Sequence, residues 1–196
     1  MRKVVPKDAV LVPDQAERVF HGVIYDVYHW QQKLFDDSDT TFEMIKRVDT
    51  IVVIGVTGDK ILVIDEEQPH AGSGVSFPGG RVDPDDASIL EASQREMQEE
   101  TGYEFSQWRL IDVRQPFVKI EWFIHVYMAT DVRKRSTPQQ DGGEKITIRQ
   151  ESFESLKKLI DDKVGSMGEA RDLFDNLKSL DDLLALPEFQ GQEVDR

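Results

Sequence analysis

Three glutamates, Glu96, Glu99 and Glu100, lie close together in a stretch without glycine or proline. In an α-helix each residue advances about 100° around the axis, so these side chains fall within an arc of about 100°. Exposed carboxylates at such spacing repel one another by a few tenths of a kcal/mol per pair. Mg²⁺ prefers oxygen ligands and keeps positions free for phosphates. The cluster therefore predicts a divalent-cation site, with an ordinary solvated helix face as the alternative.

A helix predicted over Ala87–Thr101 carries this cluster and follows a pair of glycines, Gly79 and Gly80. Because glycine has no side chain, backbone at this turn can approach an ion or a phosphate closely and offer a carbonyl ligand. Gly102 follows the last helical turn, where a left-handed C-terminal cap is favoured. We expect the acidic face, including Glu100, to point to solvent and the opposite face to pack on a sheet.

The composition limits the classes of partner. The 196 residues include 38 acidic and 24 basic side chains, a formal charge of −14, which suits one domain and disfavours a nucleic-acid partner. The absence of cysteine excludes thiolate zinc sites and a cysteine nucleophile. The longest apolar run, 51–56, is far shorter than the roughly 20 residues that cross a bilayer, and the charged start disfavours a secretory leader. We expect a cytoplasmic protein with no membrane partner.

Strands are predicted on both sides of the helix. β-Branched and aromatic residues predict one long strand over 20–32 and a return strand over 41–47. Helices are expected over 152–163 and 169–186, and the final ten residues are expected to be frayed. The remaining predicted strands are 49–57, 60–67, 108–114, 118–131 and 145–149. This order predicts a mixed α/β domain.

The segment from Gly80 onwards resembles the signature of the Nudix hydrolase family. That signature runs Gly, five residues, Glu, seven residues, Arg-Glu, an aliphatic, any residue, Glu-Glu, any residue, Gly and an aliphatic. The matching residues are Gly80, Arg95, Glu96, Met97, Glu99, Glu100 and Gly102, with Tyr103 in the last position. Two features differ from the signature. Gly80 to Arg95 is one residue longer, which indicates an insertion in the loop 83–87, and the early glutamate position is served by Asp86 or by no residue.

The resemblance implies a fold and a division of the chain. The fold is a Nudix-type α/β/α sandwich of mixed sheets, with an N-terminal β-hairpin extension and C-terminal helices. We expect residues 1–47 to form the N-terminal arm and strand pair, which would serve dimerisation and base binding. Residues 48–165 would form the hydrolase core and residues 166–196 a C-terminal helical appendage.

The resemblance also implies roles for the signature residues. Glu96, Glu99 and Glu100 would bind Mg²⁺ or Mn²⁺, with the carbonyl of Gly79 as a backbone ligand. Arg95 would orient the carboxylates through fork-shaped hydrogen bonds. The implied reaction is hydrolysis of a diphosphate linked to a nucleoside, by a water that the metal activates.

The segment before the signature is similar to the subgroup of Nudix enzymes that act on ADP-ribose and nucleotide sugars. In that subgroup the N-terminal strands help to form a homodimer, and aromatic residues there stack on the adenine. Trp30, Tyr28 and Phe35 are the candidates for stacking, with strand packing as the alternative. The further candidates for contacts with the substrate are Gly80, Arg47, Arg81 and Lys119.

The subgroup also carries an acidic residue in a loop well after the signature. Glu144, with Asp141 as the second choice, occupies that place and would orient or deprotonate the attacking water, unless the segment is an ordinary polar turn. Two rival functions stay open: a Nudix enzyme that removes unwanted nucleoside triphosphates, and a non-catalytic Nudix module that binds a nucleotide. The N-terminal strands weigh against the first, and the three retained glutamates weigh against the second.

Overall fold

The computed structural model describes residues 1–69, 72–139, 143 and 145–195. The strands of this part are β1 (Arg2–Val5), β2 (Glu17–His21), β3 (Tyr25–Lys33), β4 (Asp39–Arg47), β5 (Thr50–Thr57), β6 (Lys60–Gln68), β7 (Gly72–Ser76), β8 (Gly79–Arg81), β9 (Tyr103–Arg114), β10 (Ile120–Glu121), β11 (Ile124–Arg135), β12 (Lys145–Glu151) and β13 (Gln192–Asp195). The α-helices are α1 (Ile89–Thr101), α2 (Phe153–Asp161), α3 (Arg171–Phe174) and α4 (Leu180–Leu184), and a 3₁₀ helix spans Gly165–Ala170.

The central sheet has the strand order β12-β6-β5-β11-β9, with β7 paired to β6 and β8 paired to β5. β5 and β11 run parallel, whereas β9, β6 and β12 pair with their neighbours in the antiparallel sense. The sheet is therefore mixed, and the mixed α/β class expected from the sequence is confirmed.

Both faces of the central sheet are covered by helices. Successive side chains of a strand point to opposite faces, so β5 contributes to two cores. Ile51 and Val53 pack with Met97 of α1 on one face. Ile54 on the other face belongs to a core that includes Phe174 and the buried residues of α2 and α4. This arrangement is an α/β/α sandwich, and it fixes the acidic helix α1 against β5.

A second sheet, with the order β10-β4-β3-β2, forms the N-terminal extension. The expectation of one long strand over 20–32 is wrong, because the chain turns between β2 and β3. The amide of Gly22 donates to the carbonyl of Tyr25 at 2.9 Å, and a Cβ atom at Gly22 would lie 2.6 Å from that oxygen. Ile120 of β10 pairs with Ile45 of β4 in parallel, which joins the extension to the core.

The two ends of the described chain pair with each other. β13 runs antiparallel to β1, from Arg2 opposite Asp195 to Val5 opposite Gln192. The expectation that the final residues are frayed is therefore wrong for 192–195. The expected division of the chain at residues 47 and 165 stays a prediction.

The C-terminal helical region is interrupted. Instead of one helix over 169–186, the chain forms the short helices α3 and α4. The hydroxyl of Ser179 accepts the amide of Asp182 at 3.2 Å and so caps α4, a position that serine favours over a helix interior. Within the described part of the chain, none of the helices has the length and apolar character needed to cross a membrane.

Candidate active site

The acidic helix α1 is capped at both ends. The hydroxyl of Ser88 accepts the amide of Glu91 at 3.1 Å, and the Glu91 carboxylate accepts the amide of Ala87 at 2.7 Å. The helix thus begins at Ile89, two residues later than the predicted Ala87, with Ser88 as its N-cap. Gly102 ends it in the left-handed conformation with φ 71°, as the sequence predicts.

Arg95 is the centre of the hydrogen-bond network on this helix. Its Nε and Nη2 atoms donate to the two carboxylate oxygens of Asp86 at 3.0 and 2.9 Å. Its Nη1 atom donates to Glu96 at 3.0 Å and to Glu99 at 3.1 Å. The hydrogen bond with Asp86 raises the pKa of Arg95 and lowers the pKa of the Asp86 carboxyl from their usual values. Asp86 is therefore the carboxylate that binds the guanidinium of Arg95 through both of its oxygens.

The carboxylate of Glu96 lies against Gly80 of strand β8, where the sequence predicted a turn. A Cβ atom at Gly80 would lie 2.4 Å from its Oε1 atom, so this approach requires glycine. Burial raises the pKa of Glu96 above its usual value, and the charges of Glu99 and Asp83 add to the rise, against the lowering by Arg95. The surroundings of Glu96 therefore disfavour its charged form, which a bound cation would favour.

Glu100 does not point to solvent, contrary to the expectation from the helical wheel. Its side chain is only 6% exposed, and one carboxylate oxygen accepts the amide of Gly79 at 2.8 Å. A Cβ atom at Gly79 would lie 2.2 Å from the carbonyl oxygen of Ile51, because β8 pairs closely with β5. The glycines of β8 therefore cover the side of α1 that carries Glu100.

These groups suit a hard divalent cation by their chemistry. The carboxylates of Glu96, Glu99 and Glu100 present oxygen donors beside the two glycines of β8. Oxygen is the ligand type that Mg²⁺ and Mn²⁺ prefer. In the described part of the chain, no three acidic, histidine or cysteine side chains stand close enough together to enclose an ion. In this arrangement Arg95 Nη1 lies between Glu96 and Glu99, and one oxygen of Glu100 is directed to Gly79.

A cavity of about 390 Å³ adjoins the start of α1. Its walls come from the turn between β2 and β3, the end of β4 and the loop after β8, and they include Val23, Ile24, Arg47, Val48, Val82 and Ile89. The guanidinium of Arg47 lies 4.6 Å from the ring centre of Trp122 and 5.6 Å from that of Tyr25. The cavity is therefore mainly apolar, with a cation stacked on aromatic rings at its edge.

Arg47 differs from the two lysines of this cavity. Lys46 pairs with Glu121 at 2.6 Å, and Lys3 pairs with Asp49 at 2.5 Å. Among the described residues, no carboxylate pairs with Arg47, and its Nε atom is buried without a hydrogen-bond partner. Arg47 is thus the cation of this cavity whose charge is available to an anion.

The structure separates the other predicted substrate contacts from this cavity. Trp30 packs against Phe42 with 5.8 Å between ring centres and is not part of the cavity wall. Lys119 lines a different cavity, beside β4 and β10. Arg81 is exposed, and its carbonyl accepts Arg95 Nη2 at 3.0 Å. Tyr28 and Phe35 are likewise absent from the wall, and Phe35 is fully exposed in the turn between β3 and β4.

Four further residues bear on the site: the two predicted loop acids and two aromatic residues beside Arg47. Glu144 and Asp141 lie outside the described residues, so the role of the loop acid stays a prediction. The sequence alone did not identify Tyr25 or Trp122 as partners of Arg47. No local signal could identify both rings, because Trp122 reaches Arg47 only through the pairing of β10 with β4.

The family assignment follows from a comparison with known proteins. The family model for the NUDIX domain matches residues 46–173, which is more than half of the chain. The chain belongs to the NUDIX family. The resemblance read from the signature is therefore confirmed, and the matched segment runs from the end of β4 to α3.

Individual relatives of this Nudix protein match it over different lengths. It is 26% identical over 125 residues to the methanol dehydrogenase activator of Bacillus methanolicus. The aligned segment covers 62% of this chain and 66% of that relative. It is 47% identical over 47 residues to the mitochondrial coenzyme A diphosphatase NUDT8 of Mus musculus. This aligned segment covers 24% of this chain and 22% of that relative. The chain thus spans less than two thirds of the length of both relatives.

A solved structure shares the fold. The crystal structure of an ADP compounds hydrolase superposes with a TM-score of 0.63 at 16% sequence identity, and the match covers 88% of this chain and 97% of that one. The predicted Nudix-type sandwich is thereby confirmed.

Proposed function

We propose that this Nudix protein hydrolyses the diphosphate bond of ADP-ribose or a related nucleoside diphosphate sugar, with Mg²⁺ or Mn²⁺ as cofactor. The observation that carries the proposal is the placement of three glutamates, Glu96, Glu99 and Glu100, beside the glycines of β8. Arg95 donates hydrogen bonds to the first two of these glutamates. The fold shared with an ADP compounds hydrolase supports it. The substrate class is proposed from the N-terminal strand extension, because Nudix enzymes that act on triphosphates tend to be shorter and to lack it.

Each group of the site has a proposed role. The three glutamates and the carbonyl of Gly79 hold the cation, which when bound neutralises diphosphate oxygens and lowers the pKa of a water. Arg95 contacts the glutamates instead of the substrate and fixes their orientation. Glu144 orients the attacking water or takes its proton.

The cavity beside α1 is the proposed place of the nucleoside. Its apolar wall, including Val23 and Ile24, suits a planar base, and Arg47 at its edge suits the diphosphate. Trp30 lies outside this wall. Stacking of Trp30 on a base would therefore involve the second subunit of the proposed homodimer.

The N-terminal sheet is the proposed dimer interface. Phe42 in β4, Phe35 in the turn before it and Phe117 before β10 are exposed, and aromatic side chains are enriched at protein interfaces. Sedimentation equilibrium should report twice the chain mass at micromolar concentration. A mass equal to one chain would contradict the proposed assembly.

Replacing Arg47 should separate binding from chemistry. We expect Arg47→Ala to raise KM for ADP-ribose about tenfold or more, since a charge-assisted hydrogen bond contributes about 1.5–3 kcal/mol, while kcat changes little. Arg47→Lys should recover part of the loss, because lysine keeps the charge but not the planar stacking. Steady-state kinetics measure both constants. The exposed Arg133→Ala serves as the control, and an unchanged KM in Arg47→Ala would remove Arg47 from the substrate site.

A second candidate substrate is coenzyme A, which the local similarity to NUDT8 favours. Coenzyme A also contains an adenosine diphosphate unit, but it carries an additional 3′-phosphate. Lys3 and Lys46 are both paired with buried carboxylates, so the described wall offers mainly Arg47 to anionic groups. This charge balance favours ADP-ribose over coenzyme A.

A substrate panel tests the proposed function. ADP-ribose, a sugar nucleotide, coenzyme A and an oxidised nucleoside triphosphate are incubated with and without Mg²⁺, and the products are separated by chromatography. We expect AMP and ribose 5-phosphate from ADP-ribose, only with the metal, at the highest kcat/KM of the panel. Faster cleavage of coenzyme A or of the triphosphate would replace the proposed substrate. Binding without any cleavage would instead support a non-catalytic nucleotide-binding module.

A further inference from the structure

We propose that Asp86 and the extra residue in the loop before α1 compensate each other. The signature places seven residues between its glutamate and its arginine, whereas this chain places eight residues, 87–94, between Asp86 and Arg95. The structure joins these two departures, because the shorter carboxylate still reaches Arg95 with both of its oxygens. Asp86 is thus a positioning residue that acts through Arg95. Because Arg95 holds Glu96 and Glu99, the inference rests on the proposed function.

The turn that presents Asp86 is tightly bonded. The side chain of Asp86 accepts the amide of Asp83 at 2.8 Å, while its own amide donates to the carbonyl of Asp83 at 3.1 Å. Asp86 is 7% exposed, so its carboxylate has little freedom to move. The same Nη2 atom of Arg95 that donates to Asp86 also donates to the carbonyl of Arg81 at 3.0 Å. With Nε and Nη2 committed in this way, Nη1 is directed to the glutamates.

The lengths of side chain and loop agree with this pairing. A glutamate would place its carboxylate one C–C bond, about 1.5 Å, farther from the backbone than aspartate does, and one added residue spans up to about 3.3–3.6 Å. Ser88, extended at φ −156° and ψ 162°, links the Asp86 turn to the first helical residue. We infer that the added residue lets the backbone of Asp86 approach Arg95 closely enough for the shorter side chain to bond it. We therefore expect a glutamate at 86 in this loop, or an aspartate in a loop one residue shorter, to bond Arg95 less well.

The inference predicts a specific pattern among four proteins: the wild type, Asp86→Glu, a deletion of Ala87, and both changes combined. The combined protein has the glutamate and the seven-residue spacing of the signature. Each single change should lower kcat for ADP-ribose about tenfold or more with KM changed less than about threefold, because misplaced catalytic groups reduce turnover. The combined protein should recover to within about threefold of the wild type, a strongly non-additive result.

A matched control uses the neighbouring aspartate. Asp85 is exposed, and no hydrogen bond joins it to Arg95 in the described part of the chain. Asp85→Glu alone should therefore keep the activity of the wild type. Added to the deletion of Ala87, it should leave kcat as low as in the deletion variant.

A second readout separates this inference from the proposed function. Calorimetric titration with Mn²⁺ alone should show weaker binding in each single variant and recovered binding in the combined protein, and thermal unfolding reports whether each variant is folded. A deletion variant that unfolds should be rescued by Asp86→Glu and not by Asp85→Glu. The inference is wrong if the combined protein is no better than the deletion alone in kcat and Mn²⁺ affinity, or if Asp86→Glu alone equals the wild type. If the wild type cleaves no diphosphate, but Mn²⁺ binding is weaker in each single variant and recovered in the combined protein, only the proposed function is refuted.

Discussion

Glu100→Gln should lower kcat for ADP-ribose by about a hundredfold or more while the chain stays folded. Glutamine has the shape of glutamate and keeps a carbonyl oxygen that can accept the amide of Gly79, now bonded at 2.8 Å. It lacks the negative charge that a bound cation requires from this position. Steady-state kinetics with Mg²⁺ measure the loss, and the thermal unfolding midpoint measures whether the fold persists.

The control for this prediction is an isosteric change on another helix. Glu154 is exposed on α2, which covers the opposite face of the central sheet. Glu154→Gln should therefore keep both the activity and the unfolding midpoint. A kcat for Glu100→Gln within about threefold of the wild type would remove Glu100 from the chemistry.

Asp49→Ala should lower the free energy of unfolding by about 3–5 kcal/mol, the usual cost of removing one partner from a buried charge pair. The carboxylate of Asp49 accepts hydrogen bonds from Lys3 Nζ at 2.5 Å and from the amide of Phe123 at 3.1 Å. It also pairs with His125 Nε2 at 3.3 Å. Phe123 and His125 are buried and Lys3 is partly buried, so water offsets little of the bonding that they would lose with Asp49. Urea denaturation measures the change, and Asp59→Ala in the exposed turn after β5 should have almost no effect.

The same carboxylate should make the stability depend on pH. Burial raises the pKa of Asp49, but the hydrogen bond from His125 and the charges of Lys3 and His125 outweigh it, so the pKa lies below its usual 3.8. Since the pKa is lowered by folding, this contribution is present above about pH 4 and is lost as the pH falls through the folded-state value. Asp49→Asn should therefore lose less unfolding free energy than the wild type between about pH 5 and pH 2. Equal losses would show that Asp49 does not carry this dependence.

The local part of the site is predictable because the signature lies on one helix. Periodicity alone places Glu96 and Glu99 on one face, and Gly102 marks the end of α1. The burial of Glu100 was not predictable, because it depends on how closely β8 packs on β5 and thereby brings Gly79 over the helix. A helical wheel describes one helix and contains no information on what covers it.

Contacts between segments that are distant in the sequence could not be predicted either. The pairing of β1 with β13 joins the two ends of the chain, and no local pattern in 187–196 indicates it. The break between β2 and β3 was missed because Val23 and Ile24 continue the apolar pattern of a strand, although Gly22 is where the chain turns. Likewise, the separation of Trp30 from the cavity depends on the position of the whole N-terminal sheet.

Anomalous X-ray scattering from crystals soaked in MnCl₂ tests the central claim most directly, that the acidic face of α1 holds a divalent cation. The account predicts an anomalous peak coordinated by carboxylate oxygens of Glu96, Glu99 and Glu100 beside the carbonyl of Gly79. It predicts no such peak in crystals of Glu100→Gln soaked in the same way. A wild-type map without a peak at this helix, with the glutamates still bonded to Arg95 and Gly79, would contradict the claim.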